Sequence, residues 1–491
     1  MHYNIASCGK DKKKYDKNTS CPLTGWDQHA PATGASQSHA PIRIWTMLSL
    51  QQQPKMNQFT LCNRRRFVKS TAVSATGLGV AATVPSSAWT ARVDDVDNLD
   101  VKINRVVRCE VKYERPRIVA GNRGYRLAGK YRTDRVLLVF GDNGKIGVGA
   151  CRPAANAKLA HYLIGKKASD LLGNFAREVN QRVGTSALWD LAGKTLQKPV
   201  YELLGGKVPK GGIPIYDGMI YHEELLSRDK GSAYRNPGSQ YGGMPSWKDI
   251  IKEAIDVSKQ ADHNFVKVKI GRGALHLSRK AGNYQDLAVL ELIREYAGDD
   301  FGIGVDANNG YSLEDTLWLL NECSGLNIAF MEEMFPDDVN QYRVVREEIK
   351  KLGIKTLVAD GEGWKDPREP LVKEMIESGT LDILQADMRR FEFEGILEEA
   401  RMATQAGHGS MIAPHNFGND LGFYMSVHAG CAIPNFYRAE HDAGKQLGDT
   451  LIKQGYKIVD GTCRDFDAPG LGIDLNPKKL DNLNAQFDVK A

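Results

Sequence analysis

An α/β chain is the fold class this sequence predicts: a modified (β/α) barrel of the TIM type behind an N-terminal α+β capping domain. Three observations carry that expectation. After Gly212, short apolar strands alternate with amphipathic helices, the pattern of parallel βα units. Eight such strands recur at a spacing of roughly 25 residues, the usual size for a closed barrel. Ionisable residues cluster at the C-terminal ends of those strands, where barrels of this kind carry their sites.

In chain order, residues 1–55 are poor in apolar side chains and are expected to be disordered or to lie upstream of the true start, at Met47 or Met56. Residues 56–88 read as a twin-arginine export signal. Arg64-Arg65-Arg66-Phe67-Val68-Lys69 precedes a weakly apolar, small-residue run that ends at Ser86-Ser87-Ala88, a site suited to cleavage. The mature chain would then start near Trp89, in the periplasm or beyond. The leader also distorts the formal charge of +5. Residues 1–88 hold eleven of the 65 Lys/Arg and three of the 60 Asp/Glu, which leaves the remainder near −3. That balance offers no argument for nucleic acid or an anionic membrane as partner. No apolar run reaches the roughly 18 residues a transmembrane helix needs. Cys109, Cys151, Cys323, Cys431 and Cys463 follow the leader without CxxC spacing, so neither a disulfide framework nor a zinc site follows.

Residues 99–210 form the expected capping domain. "VKINRVVRCEVKYE" and "DRVLLVFGDNGKIGVGA" read as strands, with a hairpin at Asp142-Asn143-Gly144. "TSALWDLAGKTLQKPVYELLGG" reads as a helix capped by Thr185 or Ser186 and stopped by Gly205-Gly206. Residues 211–445 form the barrel. Its strands are "IPIYDGMI", "FVKVKIG", "FGIGVDA", "IAFMEE", "TLVADGE", "LDILQAD", "GSMIAP" and "PNFYRAE". Helices over 283–297, 312–323, 338–351 and 392–405 separate the later ones. A doubly wound sheet is disfavoured, since no Gly-rich phosphate fingerprint follows the first strand. The Gly-, Ser- and Tyr-rich stretch 222–246 sits where a substrate-covering loop would. Residues 446–491 are expected to return to the capping domain.

"FVKVKIG" places Lys267 and Lys269 on one face and Val266, Val268 and Ile270 on the other. Helices cover the outside of a barrel, so the two lysines belong to its mouth. Asp306, Glu332 and Glu362 end three successive strands; together they make an oxygen cage suited to Mg²⁺, a hard cation. Asp387, His415 and Glu440 end the remaining strands. Taken singly, a Lys-x-Lys is an ordinary solvated strand, Asp306 a turn cap and "MEEM" a helix start. His408 competes with His415 but enters its strand at the barrel bottom, and His428 and His441 read as packing or surface residues.

Seven motifs in this order resemble the enolase superfamily, mandelate racemase subgroup, over about residues 99–480. "KVKIG" matches its Lys-x-Lys strand, and Asp306, Glu332 and Glu362 match its metal ligands. Asp387 and His415 match its Asp–His dyad, and Glu440 its eighth-strand carboxylate. "ALWDLAGKTLQKPVYELLGG" resembles its last cap helix and "PGLGIDL" its C-terminal return. The sequence departs from the family where Met334-Phe335 separate the Glu-Glu pair from Pro336.

The resemblance implies Mg²⁺-dependent removal of the proton α to a carboxylate. Lys269, with a lowered pKa, would be a base and Lys267 would stabilise the developing oxyanion. Asp387 would orient His415 as acid or base on the opposite face. Asn122, Arg123, Tyr125, Arg126, Asn308 and Arg389 are candidate substrate-binding residues, with Arg390 beside them. This polar mouth favours dehydration of an acid sugar to a 2-keto-3-deoxy acid, with racemisation or epimerisation of a 2-hydroxy acid as the alternative. A disabled acid-sugar binding protein would lack a base or ligand, and none is missing. A Schiff-base aldolase would not need the three carboxylates. The expected partner is a small carboxylate, and a homo-oligomer is expected.

Overall fold

The computed structural model describes residues 94–121, 129–225, 246–418, 420–443, 450–453 and 456–491. The leader, Asn122, Arg123, Tyr125, Arg126 and most of the 222–246 stretch lie outside these residues.

Strands β1 (Ile103–Val119), β2 (Gly129–Gly141) and β3 (Ile146–Ala150) form an antiparallel sheet, with the C-terminal strand Ala485–Lys490 added beside β1. The "VLLV" run of β2 is apolar on both faces because both are covered. Leu137 and Val139 pack with the cap helices, while Val136 and Leu138 face Leu421, Tyr424 and Ile473. The segment read as one helix over 185–206 is two, Ser186–Leu196 and Val200–Leu203. Gln197 takes a left-handed conformation and Pro199 starts the second piece. Proline restricts the residue before it and donates no N–H, so the helix stops there.

Eight parallel strands then close the barrel: β4 (Ile213–Ile220), β5 (Phe265–Lys269), β6 (Gly302–Asp306), β7 (Ile328–Glu332), β8 (Leu357–Asp360), β9 (Ile383–Leu384), β10 (Met411–Ile412) and β11 (Ala439–His441). Each of β4 to β9 pairs with the next, a bridge from Ile412 in β10 to Phe436 leads on, and β11 pairs with β4. The hairpin formed by Lys457–Val459 and Thr462–Arg464 adds antiparallel to the start of β4.

Alternation along β5 sorts its side chains. Val266, Val268 and Ile270 join the large core under the surrounding helices. Phe265 points inward with Tyr216, Phe330 and Ile383, plugging the lower barrel. Gly302 and Gly304 make room for that plug, since a Cβ there would sit 2.1 Å from Phe265 and 2.4 Å from Phe330. Lys267 and Lys269 continue the inward row above it. Among the described residues no helix is long and apolar enough to cross a membrane.

Candidate active site

Strand register assembles the site in a row. Lys269 lies opposite Asp306, and Asp306 opposite Glu332, on the neighbouring strands β5, β6 and β7. One layer below, Lys267 Nζ lies 2.8 Å from Glu332 Oε1, 3.0 Å from Glu440 Oε1 and 3.4 Å from Asp306 Oδ2. Lys269 Nζ donates to Asp306 Oδ2. All five side chains are buried. Glu362, just past β8, and His415, just past β10, are more open and line the upper side.

Asp306, Glu332 and Glu362 each offer an oxygen within 4.8 Å of the others. Asn308 holds the cage: its backbone N–H donates to Asp306 Oδ1 at 2.8 Å, and its side-chain amide donates to Glu333 and Glu362 at 3.2 Å each. This loop runs through left-handed backbone at Asn308 and Asn309, which asparagine tolerates. Burial pushes the Glu332 carboxyl up to about 8 despite Lys267. Burial and the neighbouring Glu362 push Glu333 up to about 11. Asp306, Glu332, Glu362 and Glu440 thus gather around two lysines, with Glu333 beside Glu362, and the site is short of positive charge. Three convergent hard oxygen donors in such a deficit fit a divalent cation of the Mg²⁺ kind.

The lysines differ from expectation in one respect. Lys269 was expected to have a lowered pKa, yet it is raised, as is Lys267. Burial acts to lower both, but Asp306 beside Lys269, and Glu332 and Glu440 beside Lys267, outweigh it. Conversely, Lys269 and Lys267 outweigh burial at Asp306 and hold its carboxyl well below the usual range.

Backbone pairing also builds the histidine side. Asp387 and His415 form a parallel bridge just beyond β9 and β10, which brings His415 Nδ1 to 2.9 Å from Asp387 Oδ2. His415 Nε2 then lies 3.1 Å from Glu362 Oε2. Burial would lower the imidazole, but Glu362 and the bond to Asp387 raise its pKa. Asp387 also caps the helix Met388–Ala406, its Oδ1 accepting from the Arg389 and Arg390 N–H groups.

Glu440 is fully engaged: Oε1 meets Lys267, and Oε2 accepts from the Asn416 N–H at 2.7 Å. Arg389 Nη2 bonds Asp387 Oδ2 at 3.0 Å, and Arg390 Nη1 donates to the carbonyls of Gly363 and Trp364. Neither guanidinium stands free in the mouth. Met334 and Phe335, where the Glu-Glu pair departs from the family pattern, are buried, and the Phe335 ring packs at a tilt of 34° on Tyr342 with centroids 4.7 Å apart; Glu332 keeps its place in the row. Sequence reasoning passed over Gln385, whose amide donates to Glu332 Oε2 at 2.7 Å. Its position two before Asp387 on an alternating strand was the available signal. His408 is exposed at the other end, bonded to the Glu377 carbonyl.

The family model described as Enolase C-terminal domain-like matches residues 249–479. Over that span, which holds most of the barrel and the site, the chain is a member of the enolase superfamily. It is 27% identical over 374 residues to a D-galactarolactone cycloisomerase from Agrobacterium fabrum, covering 69% of this chain and 88% of that one. It is 28% identical to an arabinonate dehydratase from Saccharolobus solfataricus, covering 59% and 68%. A galacturonate dehydratase from Geobacillus sp. superposes with a TM-score of 0.67 at 26% identity, covering 78% of this chain and 97% of that one. That enzyme was solved with D-galacturonate and 5-keto-4-deoxy-D-galacturonate, and a mutant of it with magnesium (TM-score 0.69, covering 80% and 98%). The chain thus shares the superfamily's metal-dependent proton abstraction and its barrel with capping domain.

Proposed function

We propose that this protein dehydrates an acid sugar, an aldonic, aldaric or uronic acid, to a keto-deoxy acid. The observation that carries the reading is an arc of three carboxylates bracketed by two proton-transfer groups. Lys269 touches Asp306 at one end, and His415 Nε2 stands 3.1 Å from Glu362 at the other. Two dehydratases of sugar acids among the relatives support it.

In this reading Asp306, Glu332 and Glu362 would hold Mg²⁺, which would supply Lewis-acid positive charge to a substrate carboxylate. Lys269, freed from Asp306 and neutral, takes that proton. Lys267, fixed by Glu332 and Glu440, keeps a second positive charge beneath the same region. His415, oriented by Asp387, gives a proton to the β-hydroxyl, which departs as water while the carbon–oxygen bond breaks. The resulting enol tautomerises to the keto acid.

A panel of aldonic, aldaric and uronic acids, incubated with the Mg²⁺-loaded protein and assayed for keto-acid product, tests this. Product from at least one acid, abolished by chelation, is expected. Inversion at the α-carbon with no keto product from any panel member would replace dehydration with epimerisation. The Arg64–Lys69 pattern supports export by the twin-arginine route. N-terminal sequencing of the native protein should find its start near Trp89, and retention of residues 60–88 would rule the export reading out.

A further inference from the structure

Asp387 receives more donors than orienting a histidine requires. Oδ1 accepts from two backbone N–H groups, Arg389 at 3.0 Å and Arg390 at 3.1 Å. Oδ2 accepts from His415 Nδ1 at 2.9 Å and from Arg389 Nη2 at 3.0 Å. Arg389 therefore reaches back over its own helix start to the very oxygen the histidine uses. The guanidinium is not otherwise fully satisfied there, since its buried Nε has no hydrogen-bond partner among the described residues. Such an atom forgoes its hydrogen bond with water.

The surroundings tie this corner to the cap. Asp134 and Tyr113 of the capping sheet lie within electrostatic reach of the Arg389 guanidinium. Arg152 and Asn180 of the cap donate to the carbonyls of Arg390 and Phe391. The Ser186 N–H donates to Glu392 Oε2 at 2.9 Å. Glu392 itself interrupts the helix with a φ of 57°. The cap thus grips the turn that carries Asp387, and Arg389 connects that turn to the dyad.

We infer that Arg389 is a positioning residue, which fixes the Asp387 oxygen shared with His415 and so aims the imidazole at the substrate's leaving group. This rests on the dehydratase reading above and reassigns Arg389 from substrate binding. A planar guanidinium can hold one oxygen while remaining charged at every working pH; a lysine keeps the charge but not the fork.

The test uses Mg²⁺-loaded wild type, Arg389→Ala and Arg389→Lys, with melting curves to confirm folding. Removing a residue that orients a functional group typically costs 10- to 100-fold in activity, so Arg389→Ala should lower kcat by about 10- to 100-fold. KM should change little, α-hydrogen exchange in D₂O through Lys269 should persist, and Arg389→Lys should recover part of kcat. A raised KM with unchanged kcat would return Arg389 to substrate binding and overturn the inference. Equal loss of exchange and turnover would also overturn it. A second readout needs no turnover: the downfield proton NMR signal of His415 Nδ1–H, assigned by its absence in His415→Asn. It should be present in wild type and lost or broadened in Arg389→Ala. An unchanged signal would overturn the inference. If no acid sugar is dehydrated by wild type, the dehydratase reading fails while this signal still decides the role of Arg389.

Discussion

Lys267 on β5 and Glu440 on β11 meet at 3.0 Å across the floor of the site, from the two strands that flank β4. Lys267 outweighs burial at Glu440 and keeps that carboxylate below its ordinary pKa. The other Glu440 oxygen holds the Asn416 N–H, next to His415. Glu440 therefore ties the lysine strand to the histidine loop. Glu440→Gln, nearly isosteric, should fold but lose about 10- to 100-fold in kcat/KM, the usual cost of removing such support. Steady-state kinetics beside a melting curve will check it; full activity would show the tie to be dispensable.

Chelation should abolish turnover, and Mg²⁺ should restore it. Binding to the folded state alone should also raise the melting temperature, since a ligand at 100 times its Kd stabilises by roughly 2.7 kcal/mol. Glu332→Gln replaces a carboxylate with a weaker donor for a hard cation and should lose both effects. Thermal melts across a Mg²⁺ titration provide the measurement, and a melting temperature indifferent to Mg²⁺ in wild type would contradict the cage assignment.

The parts of this site that could be read from sequence are those fixed by strand periodicity. "FVKVKIG" declares its inward row because alternation on a strand is geometric, and the apolar partners of Val266 and Val268 confirm the outward face. The strand-end positions of Asp306 and Glu332 follow from the same rule. Side-chain partnerships could not be read this way. Glu392 bonds Ser186 across 206 residues, and Lys194 reaches the Ile473 carbonyl across 279. No local pattern encodes such pairs. The raised pKa of Lys269 is of the same kind, since its direct contact with Asp306 depends on strand register.

Two buried glutamates in the helix Met388–Ala406 should make stability fall with pH. Burial pushes Glu392 and Glu399 each up to about 8 from an ordinary 4.5, and at Glu399 the hydrogen bond from the Ala386 backbone only partly offsets it. The folded state therefore keeps protons the unfolded chain has released between pH 4.5 and about 8. Unfolding free energy declines across that window and levels off above it. Glu399→Gln should flatten part of the decline, read from denaturant unfolding at several pH values. An unchanged slope would mean that the carboxyl is ionised when folded.

The two proton-transfer groups should separate experimentally. If Lys269 takes the α-proton and His415 protonates the leaving hydroxyl, each serves a different bond. Removing either should cost on the order of 10²- to 10⁴-fold in turnover. His415→Asn should lose dehydration while Lys269 still exchanges the α-hydrogen with solvent deuterium, because the base, Lys267 and the carboxylate arc are untouched. Lys269→Ala should lose exchange and turnover together. For an epimerase, each variant would instead exchange only one stereoisomer, since each residue would then address one face of the same carbon. Proton NMR of the acid identified by the panel, in D₂O with Mg²⁺, distinguishes these patterns. Retained exchange and turnover in Lys269→Ala would remove Lys269 as the base and leave its contact with Asp306 as a charge pair only.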